Sequence, residues 1–211
     1  MATDLIQIEQ DNPSPEAIDR AAAAIRRGKV VAVPTDGLYA LVADPFNLMA
    51  AGRVFNAKGR EFSRSLPIIV GDLIMAEDLA KEISQRFLVL ARHFWPGPLT
   101  IIVPAAAKVP LKVTGNTGRL AMRQSKAPAV NALLRALDQP LIATSANLSG
   151  QPTCRTGIDT FAMMDGRIDL VLDGGPCSGP GNTTVDITEA YWRVIREGSI
   201  SEKDIAECLK S

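Results

Sequence analysis

Two short polar motifs, each placed after an apolar segment, carry the side chains best suited to bind an anion. Lys58–Arg60 (KGR) places two cations on one turn, and Thr144–Asn147 (TSAN) places hydroxyl and amide groups at the end of an apolar run. Cations neutralise phosphate charge, and polar groups at the C-terminal ends of strands commonly form ligand sites in α/β proteins. Together the two motifs predict a site for a phosphate-bearing ligand.

Each motif also has a purely structural interpretation. Helix C-termini favour cations and glycine, so Lys58–Arg60 also fits the end of a helix. Thr144–Asn147 fits a polar turn, as does Pro34–Gly37 (PTDG), which follows another apolar run. The chain contains no Walker pattern, so ATP, if it binds, is held by a different arrangement of side chains.

Several other arginines favour the anion-site interpretation. Arg64 follows the first motif, and Arg119 and Arg123 flank a short apolar strand. Residues i and i+4 of a regular strand share a face, so these two side chains would point the same way. Arg196 either points inward from a strand or lies in the turn before Gly198. Buried arginines need carboxylate or phosphate partners, so this set predicts an anionic ligand.

Composition excludes several classes of protein. The chain has one histidine, His93 in a helical pattern, which excludes sites built from several histidines and predicts a packing or surface role. Its 23 basic and 23 acidic residues give no net charge, so any affinity for nucleic acid must come from local clustering. Three scattered cysteines without a CxxC pattern, no apolar run of ~18 residues and no signal-peptide pattern predict a cytoplasmic protein.

The predicted elements alternate between strands and helices throughout residues 1–211, without an internal repeat or linker. We expect one α/β domain with a large twisted mixed β-sheet and flanking helices, and the irregular spacing argues against a plain Rossmann fold. A glycine-rich segment, 177–182, is expected to form a mobile loop. Strands are predicted at 5–9, 30–33, 39–42, 66–70, 99–103, 120–123, 141–144, 170–173, 184–187 and 193–195, and helices at 14–28, 48–57, 74–83, 85–94, 127–137 and after Ser201.

The order and spacing of the motifs resemble one known family, the YrdC-like proteins. The resemblance covers about residues 14–200, and it implies an α/β fold around a basic concave cleft. The motifs that carry it are VPTDGLYAL (33–41), AKGR (57–60), WPGPLT (95–100), LAMR (120–123), TSANLSG (144–150), NTTVD (182–186) and IREG (195–198).

The resemblance implies a threonylcarbamoyl-AMP synthase, a nucleotidyltransferase of tRNA modification. Its substrates would be L-threonine, bicarbonate and ATP, with Mg²⁺ accompanying the ATP. A threonylcarbamoyl-transferase complex would then pass the product to an adenosine of tRNA, and the basic cleft could also contact RNA. Such an enzyme mainly positions substrates and neutralises phosphate charge, which suits a chain with one histidine and many arginines.

Position by position, the resemblance assigns a role to fourteen residues. It implies that Lys58 and Arg60 are catalytic, and it implies no protein ligand for a metal. The implied ATP-binding residues are Lys58, Arg60, Arg64, Arg119, Ser145, Asn147, Thr153 and Arg196. The implied threonine-binding residues are Thr35, Gly37, Ile69, Arg123, Ala143 (through its backbone) and Thr183.

The chain departs from the family pattern mainly on the threonine side. Gly37 replaces a threonine, Ala40 a glycine and Ile69 a histidine, while Arg64 and Ser65 replace a common asparagine and proline. Two alternatives therefore stay open beside the synthase. One is a divergent YciO-like paralogue that binds nucleotide or structured RNA without this activity, and the other is a non-catalytic RNA-binding module.

Overall fold

The computed structural model describes residues 2–179 and 181–210, so Pro180 of the predicted 177–182 loop lies outside the described residues. Ten strands and eight helices are present in these ranges. The strands are β1 (Asp4–Gln7), β2 (Val31–Pro34), β3 (Tyr39–Ala43), β4 (Ile68–Val70), β5 (Leu99–Pro104), β6 (Arg119–Gln124), β7 (Leu141–Ser145), β8 (Leu170–Asp173), β9 (Thr183–Asp186) and β10 (Arg193–Arg196). The helices are α1 (Pro15–Arg26), α2 (Leu48–Lys58), α3 (Leu73–Leu79), α4 (Gln85–Phe94), α5 (Leu111–Thr114), α6 (Pro128–Leu137), α7 (Gly157–Met164) and α8 (Glu202–Cys208).

All ten strands join in one mixed sheet, in the order β1-β8-β2-β3-β7-β4-β6-β5-β9-β10. Four neighbouring pairs are parallel (β1–β8, β2–β8, β4–β6 and β5–β9), and the other five are antiparallel. The predicted α/β class with one large mixed sheet is therefore confirmed. Among the described residues, no helix is both long and apolar enough to span a membrane.

The helix boundaries follow local sequence signals. Ser14 caps α1 by accepting a hydrogen bond from the backbone N–H of Ala17, and Asn47 caps α2 in the same way. Gly59 ends α2 in the left-handed conformation, with φ of 58°, and the next N–H, of Arg60, donates to the carbonyl of Phe55. The helix-end interpretation of Lys58–Arg60 is therefore confirmed.

Three predictions of secondary structure were wrong. The helix predicted at 74–83 ends at Leu79, because Ala80 adopts an extended conformation and bridges to Ala105. Helices α5 and α7 were missed: α5 has only four residues, and α7 follows a polar segment, with Thr156 as its cap.

The two faces of the sheet are covered unequally, and this creates the site. On one face, α1 and α6 pack together over strands β8, β2, β3, β7 and β4. Within the described ranges, the apolar core under these helices includes no residue of β6, β5, β9 or β10. The opposite face of those strands is buried by other helices, through residues such as Leu99, Met122 and Val185. The sheet therefore leaves one face open near β6, β5, β9 and β10.

Candidate functional site

A cleft of about 450 Å³ lies on this open face. Its walls come from strands β3, β7, β4, β6, β5, β9 and β10, together with the turns after β2 and α2. Successive strand residues point to opposite faces, so alternate residues of each strand form the floor. Ala40, Ala121 and Ala143 lie on this floor, and their small side chains leave the space that forms the cleft.

The cleft gathers part of the predicted site. Eight of the predicted residues line it: Thr35, Gly37, Arg60, Ile69, Arg123, Ala143, Ser145 and Arg196. The other predicted residues do not belong to its lining: Lys58, Arg64, Arg119, Asn147, Thr153 and Thr183. Three arginines therefore share one cleft, from turns and strands that are far apart in sequence.

Lys58 joins the two opening motifs directly. Lys58 is buried, with 3% of its surface exposed. Its ammonium donates hydrogen bonds to the backbone carbonyl of Ser145, to the backbone carbonyl of Asn147 (2.9 Å) and to the Asn147 Oδ1 (3.1 Å). The Ser145 hydroxyl donates to the same Oδ1 at 2.6 Å, and the Asn147 amide donates to the carbonyl of Gln151. Lys58 and Asn147 therefore lie behind the lining and fix the turn that presents Ser145 to the cleft.

The protonation of Lys58 gives a testable dependence on pH. Burial, and secondarily the charge of Arg60, lowers the pKa of Lys58 from 10.5 to about 8. Between these values the unfolded chain binds more protons at Lys58 than the folded chain does, so this group makes the free energy of unfolding rise with pH. We expect Lys58→Met to remove this rise, as measured by urea unfolding across that range. An unchanged slope in the variant would contradict the assignment.

Arg60 lines the cleft and also has one buried donor without a partner. Its Nη2 donates to the backbone carbonyl of Ser65 at 2.7 Å, whereas its buried Nε has no hydrogen-bond partner among the described residues. Burial, followed by the charge of Arg64, lowers the pKa of the Arg60 guanidinium. An anion bound in the cleft beside this guanidinium would balance its charge. Arg64 and Thr153 are exposed outside the lining.

Arg123 is a buried cation that faces the same cleft from β6. Its Nη1 forms an ion pair with Asp36, whose carboxylate also accepts hydrogen bonds from the Ser125 hydroxyl (3.1 Å) and the Lys126 N–H (2.9 Å). Ile69 is the neighbour of Arg123 in the β4–β6 register. Sequence reasoning assigned Asp36 no role, although its turn was noted as a possible site. The Asp36 carboxylate binds one side of the Arg123 guanidinium and thereby orients that guanidinium.

Arg119 lies at the other end of β6, where its guanidinium forms ion pairs with two carboxylates. Its Nη1 donates to Asp186 at 3.0 Å, and its Nη2 pairs with Glu189. Burial alone would raise the pKa of Asp186, but hydrogen bonds from Thr188 and the charge of Arg119 bring that pKa below its usual value. Arg119 therefore belongs to an ion-pair cluster outside the cleft lining.

Thr183 points away from the cleft, and its neighbour Thr184 lines it. The Thr183 hydroxyl donates to the carbonyl of Ile200 at 2.7 Å and accepts from the N–H groups of Gly198 (2.9 Å) and Ile200 (3.0 Å). These bonds anchor the turn that follows Arg196. The Arg196 Nε in turn donates to the carbonyl of Asn182 at 3.1 Å. Thr183 therefore does not line the cleft itself, but its hydrogen bonds help to position Arg196, which does.

The anchoring role of Thr183 predicts a loss of stability. Thr183→Val keeps the shape of the side chain but leaves the N–H groups of Gly198 and of the buried Ile200 without this acceptor. We expect the free energy of unfolding to fall by about 2–3 kcal/mol, as measured by urea unfolding. Thr184→Val, one residue away on the cleft floor, is the matched control and should change it by less than about 0.5 kcal/mol. Equal losses in the two variants would contradict the anchoring role.

Sequence reasoning missed two further residues of the cleft floor, Thr100 and Thr184. Both belong to motifs that it quoted, WPGPLT and NTTVD. The signal that could have found them is strand alternation: Leu99, Ile101 and Val185 are buried in the core, so the residues beside them face the cleft.

Comparison with known proteins identifies the family. A family model for Sua5, YciO and YrdC proteins, described as telomere recombination, matches residues 23–198. The chain belongs to the Sua5/YciO/YrdC family. The resemblance to YrdC-like proteins is therefore confirmed, and the matched region contains every residue assigned to the site.

Relatives in this family are named as synthases. The threonylcarbamoyl-AMP synthase of Pyrococcus abyssi is 35% identical over 190 residues, which cover 90% of this chain and 56% of that protein. The enzyme of the same name from Bacillus subtilis is 34% identical, with 89% and 55% covered. The one from Vibrio cholerae is 31% identical, with 87% and 98% covered. The chain thus spans about half the length of the first two relatives and nearly all of the third.

Solved structures of family members share this fold. The crystal structure of P. abyssi Sua5 complexed with L-threonine matches with a TM-score of 0.93 and 33% identity, covering 98% of this chain and 61% of that one. The E. coli YciO structure matches with a TM-score of 0.88 and 25% identity, covering 96% and 99%. The family fold therefore extends over nearly all of the chain.

Proposed function

We propose that this chain is an L-threonylcarbamoyladenylate synthase, a nucleotidyltransferase. The observation that carries the proposal is that one cleft contains two arginines in different surroundings, Arg60 and Arg123. Arg60 and Ser145 line one cleft and suit a phosphate, and the fork of Arg123 in the same cleft suits a carboxylate. The names of the relatives support this reaction, and so does the presence of L-threonine in one related structure.

The phosphate side of the proposed site rests on side chains at two edges of the cleft. Arg60, Ser145 and Arg196 would contact the triphosphate of ATP, and Lys58 and Asn147 would hold the turn of Ser145 in position. Contacts of Arg64, Arg119 and Thr153 with ATP stay predictions. ATP would enter as its Mg²⁺ complex, and the oxygen donors on the cleft, such as Glu197, are ligands of the kind that Mg²⁺ accepts.

The threonine side would be centred on Arg123. Its guanidinium would bind the amino-acid carboxylate, and Ala143 and Ile69 would flank the side chain. The Thr35 hydroxyl donates to the carbonyl of Leu38 at 2.6 Å, so it is already engaged. Gly37 and Ile69 offer no side-chain donor to the hydroxyl of threonine, and we therefore expect weak discrimination by that group.

The proposed chemistry requires no covalent intermediate on the protein. The threonine amine and bicarbonate give a carbamate and water, and a carbamate oxygen then attacks the α-phosphorus of ATP. The bond from that phosphorus to the β-phosphate oxygen breaks, and pyrophosphate leaves with its electron pair. Charge develops on phosphate oxygens in this step, and arginine donors fixed in a cleft stabilise it.

The wider context of the proposal follows from its product. Threonylcarbamoyl-AMP would be consumed by a transferase complex that acts on tRNA, in the cytoplasm. Direct contact of RNA with the three arginines of the cleft stays a prediction, and it would weaken steeply with salt.

Pyrophosphate release tests the proposal. We expect release from ATP only when L-threonine and bicarbonate are both present, with Arg60→Ala as the inactive control. Release that ignores either substrate would overturn it. Calorimetry separates the alternative: ATP binding that L-threonine leaves unchanged, with no turnover, would favour a nucleotide-binding paralogue.

A further inference from the structure

The segment that leads out of β8, residues 174–179, lies against the turn that carries Asp36. A Cβ atom added to Gly179 would come within 1.9 Å of the Asp36 carbonyl oxygen and 3.0 Å of the Gly37 Cα. So close an approach of two backbones is open only to a residue without a side chain. The position of the 174–179 segment and the position of Asp36 therefore depend on each other.

The hydroxyl of Tyr39 fixes the start of the 174–179 segment. It donates to the carbonyl of Gly175 at 2.8 Å and accepts from the N–H of Gly174 at 3.0 Å. The Asp173 carboxylate supports the same bend by accepting from the Gly175 N–H at 2.9 Å. Tyr39 is buried, and burial raises the pKa of its hydroxyl, which keeps this donor protonated.

Packing of the aromatic ring does not account for this hydroxyl. The ring of Tyr39 belongs to the apolar core, where a phenylalanine ring would fill the same space. A buried hydroxyl needs partners, and the two closest ones are backbone groups of consecutive residues in a connection, not in the sheet. The hydroxyl therefore sets the direction in which the chain leaves β8.

We propose that Tyr39 is a positioning residue for amino-acid recognition, which acts through the 174–179 segment and Asp36 on the guanidinium of Arg123. The proposal rests on the proposed function, in which Arg123 binds the carboxylate of L-threonine. Each step is a contact: Tyr39 holds the segment, Gly179 touches the Asp36 carbonyl, and the Asp36 carboxylate binds Arg123. A displacement of about 1 Å at a binding group is enough to weaken its function strongly.

The phosphate side of the cleft is held by other contacts. Arg60 donates to the carbonyl of Ser65, and the turn of Ser145 is fixed by the ammonium of Lys58. A displaced 174–179 segment should therefore disturb the binding of L-threonine more than the binding of ATP. This difference distinguishes a positioning role from a general loss of stability.

Two substitutions displace the segment in different ways. Tyr39→Phe removes only the hydroxyl, whereas Gly179→Ala keeps it and places a methyl group against the Asp36 carbonyl. We expect each to raise the Kd for L-threonine about 5-fold or more in calorimetry, with the Kd for ATP within about twofold. Tyr191→Phe, at an exposed tyrosine, is the matched control and should leave both constants unchanged. Equal rises in the two constants, or lower stability with an unchanged Kd for L-threonine, would overturn the proposal.

A second readout keeps this test separate from the proposed reaction. The probe is the Arg123 side chain itself, observed by NMR in protein with ¹⁵N-labelled arginine and assigned with Arg123→Lys. Its Nε–H resonance should shift in Tyr39→Phe and Gly179→Ala but not in Tyr191→Phe. Such shifts in a protein that binds no L-threonine would support the coupling while overturning the proposed function. An unshifted resonance in both variants would overturn the coupling, even in an active synthase.

Discussion

Arg123→Ala is expected to raise the KM for L-threonine by about 100-fold, with a change of less than about threefold in the KM for ATP. Arg123 is a buried guanidinium in the cleft, already oriented by Asp36. Arg123→Lys should recover little of the loss, because an ammonium keeps the charge but not the fork. Steady-state kinetics with each substrate varied in turn measure this split.

Two controls separate recognition from folding in the Arg123 experiment. Arg119→Ala removes an arginine from the same strand, outside the cleft lining, and should leave the KM for L-threonine within about twofold. Asp36→Asn removes the charge that orients Arg123 and should give an intermediate effect on the same KM. Equal increases in the KM for ATP and L-threonine in Arg123→Ala would contradict its assignment.

Lys58→Met is expected to lower both stability and turnover, whereas Arg60→Ala should lower mainly turnover. Without the Lys58 ammonium, the carbonyls of Ser145 and Asn147 and the Asn147 Oδ1 lose a buried donor. We expect a loss of about 2–5 kcal/mol in the free energy of unfolding. Turnover should fall about 100-fold or more, because the turn that presents Ser145 is no longer held in place.

Arg60→Ala provides the contrast. Among the described residues, the Arg60 side chain makes one hydrogen bond, to the carbonyl of Ser65, so its removal should cost about 1 kcal/mol or less. Turnover should nevertheless fall about 100-fold, since the Arg60 guanidinium lines the cleft and is proposed to bind phosphate. Urea unfolding and initial rates of pyrophosphate release measure the two quantities. If Arg60→Ala loses as much stability as Lys58→Met, the whole motif is only a helix end.

Lys58 shows what the sequence could and could not predict. The end of α2 at Gly59 was predictable, because capping depends on a few neighbouring residues. The direction of the Lys58 side chain was not, because it depends on a contact with Ser145, 87 positions away. The sequence therefore indicated that the two motifs belong to one site, but not that Lys58 supports the turn from behind.

The contacts of Asp36 and Thr183 were also not predictable from the sequence, for two different reasons. The ion pair of Asp36 with Arg123 also joins positions 87 apart, and neither motif alone specifies it. Thr183 and Thr184 are equally good strand residues, and a shift of one residue exchanges the two faces of a strand. Only the pairing of β9 with β5 and β10 decides which of the two faces the cleft.

Incorporation of label from bicarbonate tests the central claim most directly. With ATP, L-threonine and ¹⁴C-bicarbonate, the account predicts a labelled adenylate that forms in equal amount to the pyrophosphate released. Formation should require L-threonine and should be lost in Arg60→Ala and strongly reduced in Arg123→Ala. Pyrophosphate without labelled adenylate, or labelled adenylate without L-threonine, would contradict the account.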